Sequence, residues 1–394
     1  MDKHKKNVAL LAVCQGLLLT NNSVLITING LAGYLLAPDK GLATLPVTSY
    51  FLGSALTTLP VSLLMKQWGR RAGFILGAAC AIVGSVLCAF ALYANDFWLL
   101  CGGTLVLGVY FAAGQYYRFA AADAAPATFR STAISLVLAG GILGGFVGPQ
   151  TSKLTKDLLL DHVYAGAYLS LVVFALLAIV VLRWLEIPRL TAAEQKAVGR
   201  PLIEIARQPA FVVAVLCGMI GYGVMNLLMT ATPLAMIACQ HPFSDAAFVI
   251  QWHLVGMFAP SFFTGALIQR YGVTRVILSG VVVNLVCVGV ALAGVAVANF
   301  WLALMLLGVG WNFMYVGATT LLTEAHRPAE RAKAQGVNDM AIFLTMVVSS
   351  LSSGALFTYQ GWQTMNYLAI PFLVIAGIAA GGLGWLRRRS PVAA

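Results

Sequence analysis

The stretch GALIQRYG, residues 265–272, separates two long apolar runs of the chain. It carries the positive charge of Arg270 and has a glycine at each end, and the flanking runs cover about 246–268 and 274–297. A helical bilayer crossing takes about 20 predominantly apolar residues. The stretch therefore predicts a short turn at a membrane surface, between two transmembrane helices.

The same alternation of apolar runs and short charged breaks fills the whole sequence. Of its 394 residues, 60% are hydrophobic and only 9% are charged. No soluble domain of this length buries so much apolar surface, so the composition predicts an all-α integral membrane protein. The net charge of +11 would suit a nucleic-acid binder only if Lys and Arg shared one soluble face. Here they lie between apolar runs, which excludes nucleic acid as a partner.

About twelve transmembrane helices are predicted. The N-terminal MDKHKK leads into an apolar run too long for a signal peptide, so the first helix is expected to be uncleaved. All seven cysteines lie inside apolar runs, which favours structural thiols over a disulfide framework. The predicted spans are 8–35, 43–65, 73–94, 97–120, 131–152, 163–185, 208–236, 246–268, 274–297, 300–322, 338–358 and 363–385.

Loop charges predict the orientation of the spans. With the N-terminus inside, nearly all Lys and Arg fall in cytoplasmic segments, and only Lys40, Lys153 and Lys156 fall outside. Because cytoplasmic loops of membrane proteins are enriched in Lys and Arg, both termini are predicted to be cytoplasmic. The expected location is the bacterial cytoplasmic membrane, where the protein is a multi-pass protein surrounded by lipid.

The two halves of the sequence resemble each other. NDFWL at 95–99 opens the fourth span and ANFWL at 298–302 opens the tenth, while Gly69 and Gly272 follow the second and eighth spans at the same offset. This repeat predicts two pseudo-symmetric six-helix bundles, residues 1–185 and 208–394, joined by a cytoplasmic linker at 186–207.

The loop at 265–272 also resembles the signature Gly-x-Leu-x-Asp-Arg-x-Gly of the major facilitator superfamily, with Gln269 in place of the acid. The first-half copy keeps Gly69 and Arg70 and has Lys66 where the acid belongs. The resemblance implies the fold of that superfamily, transport by alternating access, and no enzymatic activity.

Polar or ligating side chains inside spans indicate the transported substrate, because hydrocarbon makes uncompensated polar groups costly. Met225 and Met229 lie four residues apart in the seventh span, as do His253 and Met257 in the eighth. Each pair shares one helix face. Thioethers select Cu(I) and imidazole suits copper, so the four side chains predict a copper site. Packing by the methionines and a structural role for His253 are the alternatives.

The same pattern resembles the CcoA-like copper importers, a branch of this superfamily. That resemblance implies metal ligation by Met225, Met229, His253 and Met257. It also implies further thiol and thioether positions at Cys217, Met219 and Cys239. It implies import of copper, as Cu(I), for cytochrome oxidase assembly, with copper as substrate rather than as a resident cofactor. The partners expected are a cytoplasmic copper acceptor protein and membrane lipid, and the protein is expected to be a monomer.

A glycine repeat in the fifth span supports a different substrate. Gly140, Gly144 and Gly148 precede Pro149 and resemble part of the signature of drug/proton antiporters, although the same spacing permits close helix packing. A proton-coupled exporter of lipophilic drugs or metabolites is therefore the alternative function. A non-transporting metal sensor is disfavoured. In the first half, the polar residues that could contribute to a site are Gln15, Asn21, Asn22 and Gln115.

Overall fold

The computed structural model describes residues 3–39, 42, 45–159, 162–187 and 199–389. In this part of the chain all regular secondary structure is helical, which confirms the all-α prediction. Large apolar side chains such as Leu56 and Phe90 are more than half exposed, as expected of surfaces that face lipid.

Eight helices form the first half of the described chain. They are α1 (Lys3–Leu36), α2 (Leu45–Trp68), α3 (Arg70–Ala94), α4 (Phe97–Gly114), α5 (Tyr117–Ala124), α6 (Arg130–Ala139), α7 (Ile142–Thr155) and α8 (Ala165–Leu182). Because α4 continues into α5 and α6 into α7 with little interruption, each of these pairs makes one span.

Seven helices form the second half. They are α9 (Leu202–Ala206), α10 (Pro209–Ala238), α11 (Phe243–Phe258), α12 (Ser261–Tyr271), α13 (Val273–Ala293), α14 (Val297–Glu324) and α15 (Arg331–Arg389). Gly361, with φ of 77°, breaks α15 into two spans.

The predicted number of spans is confirmed. Eleven stretches among the described residues are long and apolar enough to cross a membrane. A twelfth is formed by α11 and α12, at the position predicted as 246–268. That span is interrupted at Ala259 and Pro260 rather than continuous, since Pro260 has no N–H to bond the carbonyl of Gly256.

The chain divides into two compact units. One comprises Met1–Ala125, Leu136–Gly199 and Pro328–Leu344, and the other comprises Pro126–Ser135, Arg200–Arg327 and Thr345–Ala394. Each unit thus includes a short segment from the other half of the sequence. The predicted linker at 186–207 stays a prediction, because its residues 188–198 lie outside the described residues.

The repeated halves share a backbone detail at one turn. Gly69 joins α2 to α3 with φ of 90° and ψ of 159°, and Gly272 joins α12 to α13 with φ of 86° and ψ of 151°. A side chain is strained at such positive φ, so both turns require glycine. The equivalence predicted for the two loops is therefore present in their conformation.

Within each unit, the short borrowed segment packs on an equivalent helix. In the first unit, the Ser62 hydroxyl of α2 donates to the carbonyl of Ala332 at 2.8 Å. In the second, the Ser131 hydroxyl donates to the carbonyl of Gly265 in α12 at 3.0 Å, and Gln269 Nε2 donates to the carbonyl of Thr128 at 2.7 Å. Gln269, which replaces the signature acid, is thus a hydrogen-bonding residue of this contact.

The glycine repeat of the fifth span packs against α1. A Cβ on Gly140 would lie 2.0 Å from the carbonyl oxygen of Ala12, one on Gly144 would lie 2.5 Å from the carbonyl carbon of Leu19, and one on Gly148 would lie 2.5 Å from Cβ of Ser23. The glycines are required for this close helix approach, so the packing interpretation accounts for them.

Candidate substrate site

Four aromatic side chains meet near the middle of three spans in the second unit. Tyr222 lies on α10, Phe258 ends α11, and Trp311 and Tyr315 lie on α14. The spacing of Trp311 and Tyr315 puts both rings on one face of α14. We call these four residues the aromatic cluster.

The rings of the aromatic cluster pack in stacked and edge-to-face geometries. Trp311 and Tyr315 stack with centroids 4.9 Å apart and an interplanar angle of 23°. Tyr222 presents its edge to both, at 5.1 Å from Trp311 and 4.8 Å from Tyr315. Phe258 meets Trp311 edge-on at 5.9 Å. Such pairs hold each other's orientation, so the cluster is a rigid, preorganised aromatic surface.

The cluster is buried but retains a polar group. Trp311 is 1% exposed and its indole N–H has no hydrogen-bond partner in the described structure. Tyr222 is the most exposed member, at 9%. Buried indole N–H groups usually find a partner, so this donor is a candidate contact for a bound molecule.

The interruption of the eighth span lies beside the cluster and is held by Asn312, which neighbours Trp311. Asn312 Nδ2 donates to the carbonyl of Met257 at 2.6 Å and to the Ser261 hydroxyl at 2.5 Å, and Thr264 Oγ1 donates to Asn312 Oδ1 at 2.7 Å. These bonds satisfy polar groups freed by the break. Interrupted helices near mid-membrane are typical of binding sites in transporters.

His253 of the predicted metal set is fully buried on α11. Its Nδ1 donates to the carbonyl of Leu304 in α14 at 2.8 Å, which leaves Nε2 as a buried acceptor without a partner in the described structure. Where Gly308 of α14 passes α11, an added Cβ would lie 2.6 Å from the carbonyl oxygen of His253. The histidine thus joins two helices that approach closely, as the structural interpretation of His253 expects.

The sulfur residues of the predicted set have varied surroundings. Met225 and Met257 are buried, and Cys217 donates to the carbonyl of Ala376 in α15 at 3.9 Å. Met219, Met229 and Cys239 are half-buried. No three His, Cys, Asp or Glu side chains of the described chain form a metal-binding group. The proposed ligand set stays a prediction.

The first-half candidates are engaged within the first unit. Asn21 Nδ2 donates to the carbonyl of Leu171 at 3.2 Å, and Asn22 Oδ1 accepts from the hydroxyl of Tyr50 at 2.9 Å. Gln115 accepts from Arg118 through its side-chain oxygen at 2.8 Å. Gln15 is buried.

The aromatic cluster was not predicted from the sequence, although the sequence carries a signal for it. Tyr and Trp of membrane proteins concentrate at the two interfaces, where their polar atoms meet water. Tyr222, Trp311 and Tyr315 instead lie well inside α10 and α14. Aromatic residues with polar atoms at mid-span indicate an internal site.

Comparisons with known proteins address the family and the substrate. The sequence profile of the Major Facilitator Superfamily matches residues 9–250 and 216–394. The riboflavin transporter RfnT of Brucella anthropi is 42% identical over 374 residues, which cover 94% of each chain. The uncharacterized MFS-type transporter YddS of Bacillus subtilis is 28% identical over 359 residues, 86% of this chain and 82% of that protein.

Solved structures share the fold at low sequence identity. The fucose:proton symporter FucP of E. coli has a TM-score of 0.79 at 17% identity, covering 97% of this chain and 99% of its own. A bacterial homologue of the iron transporter ferroportin has a TM-score of 0.72 at 12% identity, with the same coverage. At these identities the likeness shows the fold alone.

The prediction of copper import is wrong. A nearly full-length relative at 42% identity is a riboflavin transporter, and the comparisons support no resemblance to the CcoA-like copper importers. The error came from taking two four-residue spacings as ligands. Methionine is also a common apolar packing residue, and the chain has 12 of them.

Proposed function

The chain belongs to the Major Facilitator Superfamily, and on that premise we propose that it carries riboflavin, or a compound with the same ring system, across the membrane. The 42% identity to a riboflavin transporter is the observation that carries this proposal. The protein is a multi-pass membrane transporter and not an enzyme. Its placement in the bacterial cytoplasmic membrane is part of the proposal.

The aromatic cluster suits the isoalloxazine ring of riboflavin. That ring is flat, tricyclic and uncharged, so it is bound by aromatic faces and edges rather than by ion pairs. Stacking of a planar heterocycle on an aromatic side chain contributes about 1–3 kcal/mol. We assign Tyr222, the most exposed member, to contact with the ring, and the indole N–H of Trp311 to hydrogen bonding with a ring carbonyl.

Polar groups beside the cluster suit the hydroxylated ribityl chain. Asn226 lies one turn from Tyr222 on α10, and its Nδ2 donates to the carbonyl of Met346 at 3.1 Å and to the hydroxyl of Ser349 at 2.9 Å. These groups already hydrogen-bond in a buried environment. Hydroxyls of a substrate can exchange into such a network without leaving polar atoms unsatisfied.

Uptake of radiolabelled riboflavin by bacterial cells that cannot synthesise it tests the proposal. Cells that produce the protein should accumulate label above cells with an empty vector. Tyr222→Leu should weaken apparent affinity about 5- to 150-fold, since it removes about 1–3 kcal/mol of stacking. Tyr222→Phe should retain most of the affinity because the ring remains.

Tyr367→Leu is the matched control, because Tyr367 is a tyrosine of the second unit whose side chain is 57% exposed. All uptake is normalised to the amount of protein in the membrane. Equal uptake by Tyr222→Leu and Tyr367→Leu would show that the aromatic cluster does not bind the ring of the substrate. No uptake by the unaltered protein would remove riboflavin as substrate.

A further inference from the structure

A fully buried ion pair joins two distant parts of the sequence within the first unit. Arg118 of α5 donates through Nη2 to Asp339 Oδ1 of α15 at 2.6 Å, and the two side chains are 1% and 2% exposed. Asn338 Nδ2 also donates to Asp339 Oδ1, at 2.7 Å. Arg118 further donates to the carbonyl and side-chain oxygens of Gln115, both at 2.8 Å. The function proposed above gives this pair no role.

A second carboxylate near this pair has a wetter environment. Asp123 Oδ2 accepts from Arg70 and from Arg331, each at 2.9 Å, and its side chain is 16% exposed. Arg70 Nη2 also donates to Gln335 Oε1 at 2.7 Å. Asp123 therefore faces two positive charges and some water. Asp339 is more deeply buried, and among the described residues Arg118 is its ion-pair partner.

The position of Asp339 is unusual for a carboxylate. It lies eight residues inside α15, which begins at Arg331, so it is about 12 Å along the helix. One of its oxygens, Oδ2, is buried and has no hydrogen-bond partner in the described structure. Ionisable side chains that are buried inside the helices of transporters commonly mark proton relays. The unbonded oxygen can accept a proton while Oδ1 keeps its present contacts.

Asp339 is the group in this region whose protonation state can change with pH. In the part of the chain that the structure describes, the charged and titratable groups that face it are Arg118 from α5, Arg70 from α3 and Tyr116 from the α4–α5 junction. Arginine stays charged and tyrosine stays neutral at pH values near and below neutrality. From α2, the contacting groups in this region are the neutral Thr58, whose carbonyl accepts from Tyr116, and Ser62.

We propose that Asp339 is a proton-binding site whose protonation releases residues 328–344 from α2 and α5. One proton from water adds to Oδ2 and gives a neutral carboxylic acid, so the net charge of the pair changes from zero to +1. The buried guanidinium of Arg118 then loses the negative charge opposite it, which destabilises the packed arrangement. Linkage of this step to riboflavin movement rests on the proposed function.

A cysteine reporter tests the release without any substrate. Ala332 is buried beside a cavity of about 10 Å³ that Ser62 and Arg70 also line, so Ala332→Cys adds a thiol with little crowding. Its rate of alkylation by a water-soluble maleimide is divided by the rate for Trp68→Cys, which is 60% exposed on α2. The ratio cancels the effect of pH on thiol reactivity. Unaltered protein gives the background from the native cysteines.

The expected ratio is low at pH 8 and rises about tenfold by pH 5.5, which corresponds to one pKa unit of coupling. In the Asp339→Asn background the ratio should be high at every pH. In the Arg118→Gln, Asp339→Asn double variant it should be low at every pH, because no buried charge remains. Asp123→Asn should keep the pH response. The proposal would be overturned if the alkylation ratio did not change with pH in the otherwise unaltered protein. It would also be overturned if the double variant gave an alkylation ratio as high as that of Asp339→Asn.

Vesicle transport separates this proposal from the function. With an inward proton gradient, the unaltered protein should accumulate riboflavin. Asp339→Asn should exchange labelled for unlabelled riboflavin without accumulating it. If riboflavin is not transported at all, the proposed function fails while the alkylation result still decides the proton site. If riboflavin is accumulated equally by Asp339→Asn, the linkage to transport is wrong.

Discussion

Replacing Gly308 by alanine should loosen the contact that positions the aromatic cluster. An added Cβ would lie 2.6 Å from the carbonyl oxygen of His253, 2.7 Å from the amide nitrogen of Met257 and 2.8 Å from the carbonyl carbon of Gly256. All three are backbone atoms, so α11 and α14 must move apart. Such overpacking costs about 1–3 kcal/mol.

Gly289→Ala is the matched control, because an added Cβ at Gly289 on α13 meets no atom within 4 Å. Both substitutions gain about 1 kcal/mol of helix propensity. The difference in stability between the two variants therefore isolates the packing cost at Gly308. For a unit of this size, 1 kcal/mol moves Tm by about 2–4 °C.

Thermal unfolding of the detergent-solubilised variants should therefore give a Tm for Gly308→Ala that is about 2–12 °C below that of Gly289→Ala. Riboflavin affinity should also fall in Gly308→Ala alone, since Phe258 and Trp311 lie on the two helices that are forced apart. Equal Tm values for the two variants would refute the packing argument. Normal affinity with a lowered Tm would show that the helix contact does not position the cluster.

Three further outcomes are expected. Met225→Leu should leave riboflavin uptake unchanged and cost less than about 1.5 kcal/mol of stability, because volume and apolarity are kept; loss of uptake at normal membrane levels would show that the sulfur matters. Asn312→Ala should lower the free energy of unfolding by about 2–4 kcal/mol, since it leaves buried groups at the α11–α12 break without partners, and a chemical denaturation series measures this. Reporter fusions at Arg388 and near Asp157 should be cytoplasmic and external respectively; a cytoplasmic signal from the second would contradict the charge rule.

The membrane fold followed from the sequence because span length and loop charge are local properties. Each predicted span has a helical counterpart, and the ends agree within five residues except at the eleventh span, whose helix begins at Arg331 rather than at 338. Gly69 and Gly272 share the conformation that their repeated context predicts. The eighth span was predicted as continuous, because Pro260 is tolerated inside transmembrane helices and hydropathy does not register a break. The break is stabilised by the hydrogen bond from Asn312 to the carbonyl of Met257, a contact between two spans that hydropathy does not encode.

The site could not be predicted to the same extent, for two physical reasons. The mid-span positions of Tyr222 and Trp311 indicate an internal site, but the contact between their rings across α10 and α14 cannot be read from the sequence. The pairing of Arg118 with Asp339 joins residues 221 positions apart, which no local pattern encodes. The four-residue spacings of Met225 with Met229 and of His253 with Met257 are local patterns, and they are frequent enough to arise from helix packing alone.

Transport of riboflavin by the purified protein in liposomes tests the central claim most directly. Vesicles preloaded with unlabelled riboflavin should take up labelled riboflavin by exchange, with saturable kinetics and with weakened affinity in Tyr222→Leu but not in Tyr367→Leu. This exchange needs no ion gradient and no cellular metabolism, so it reports on the carrier alone. Uptake no greater than that of protein-free liposomes would contradict the assignment of riboflavin as the substrate.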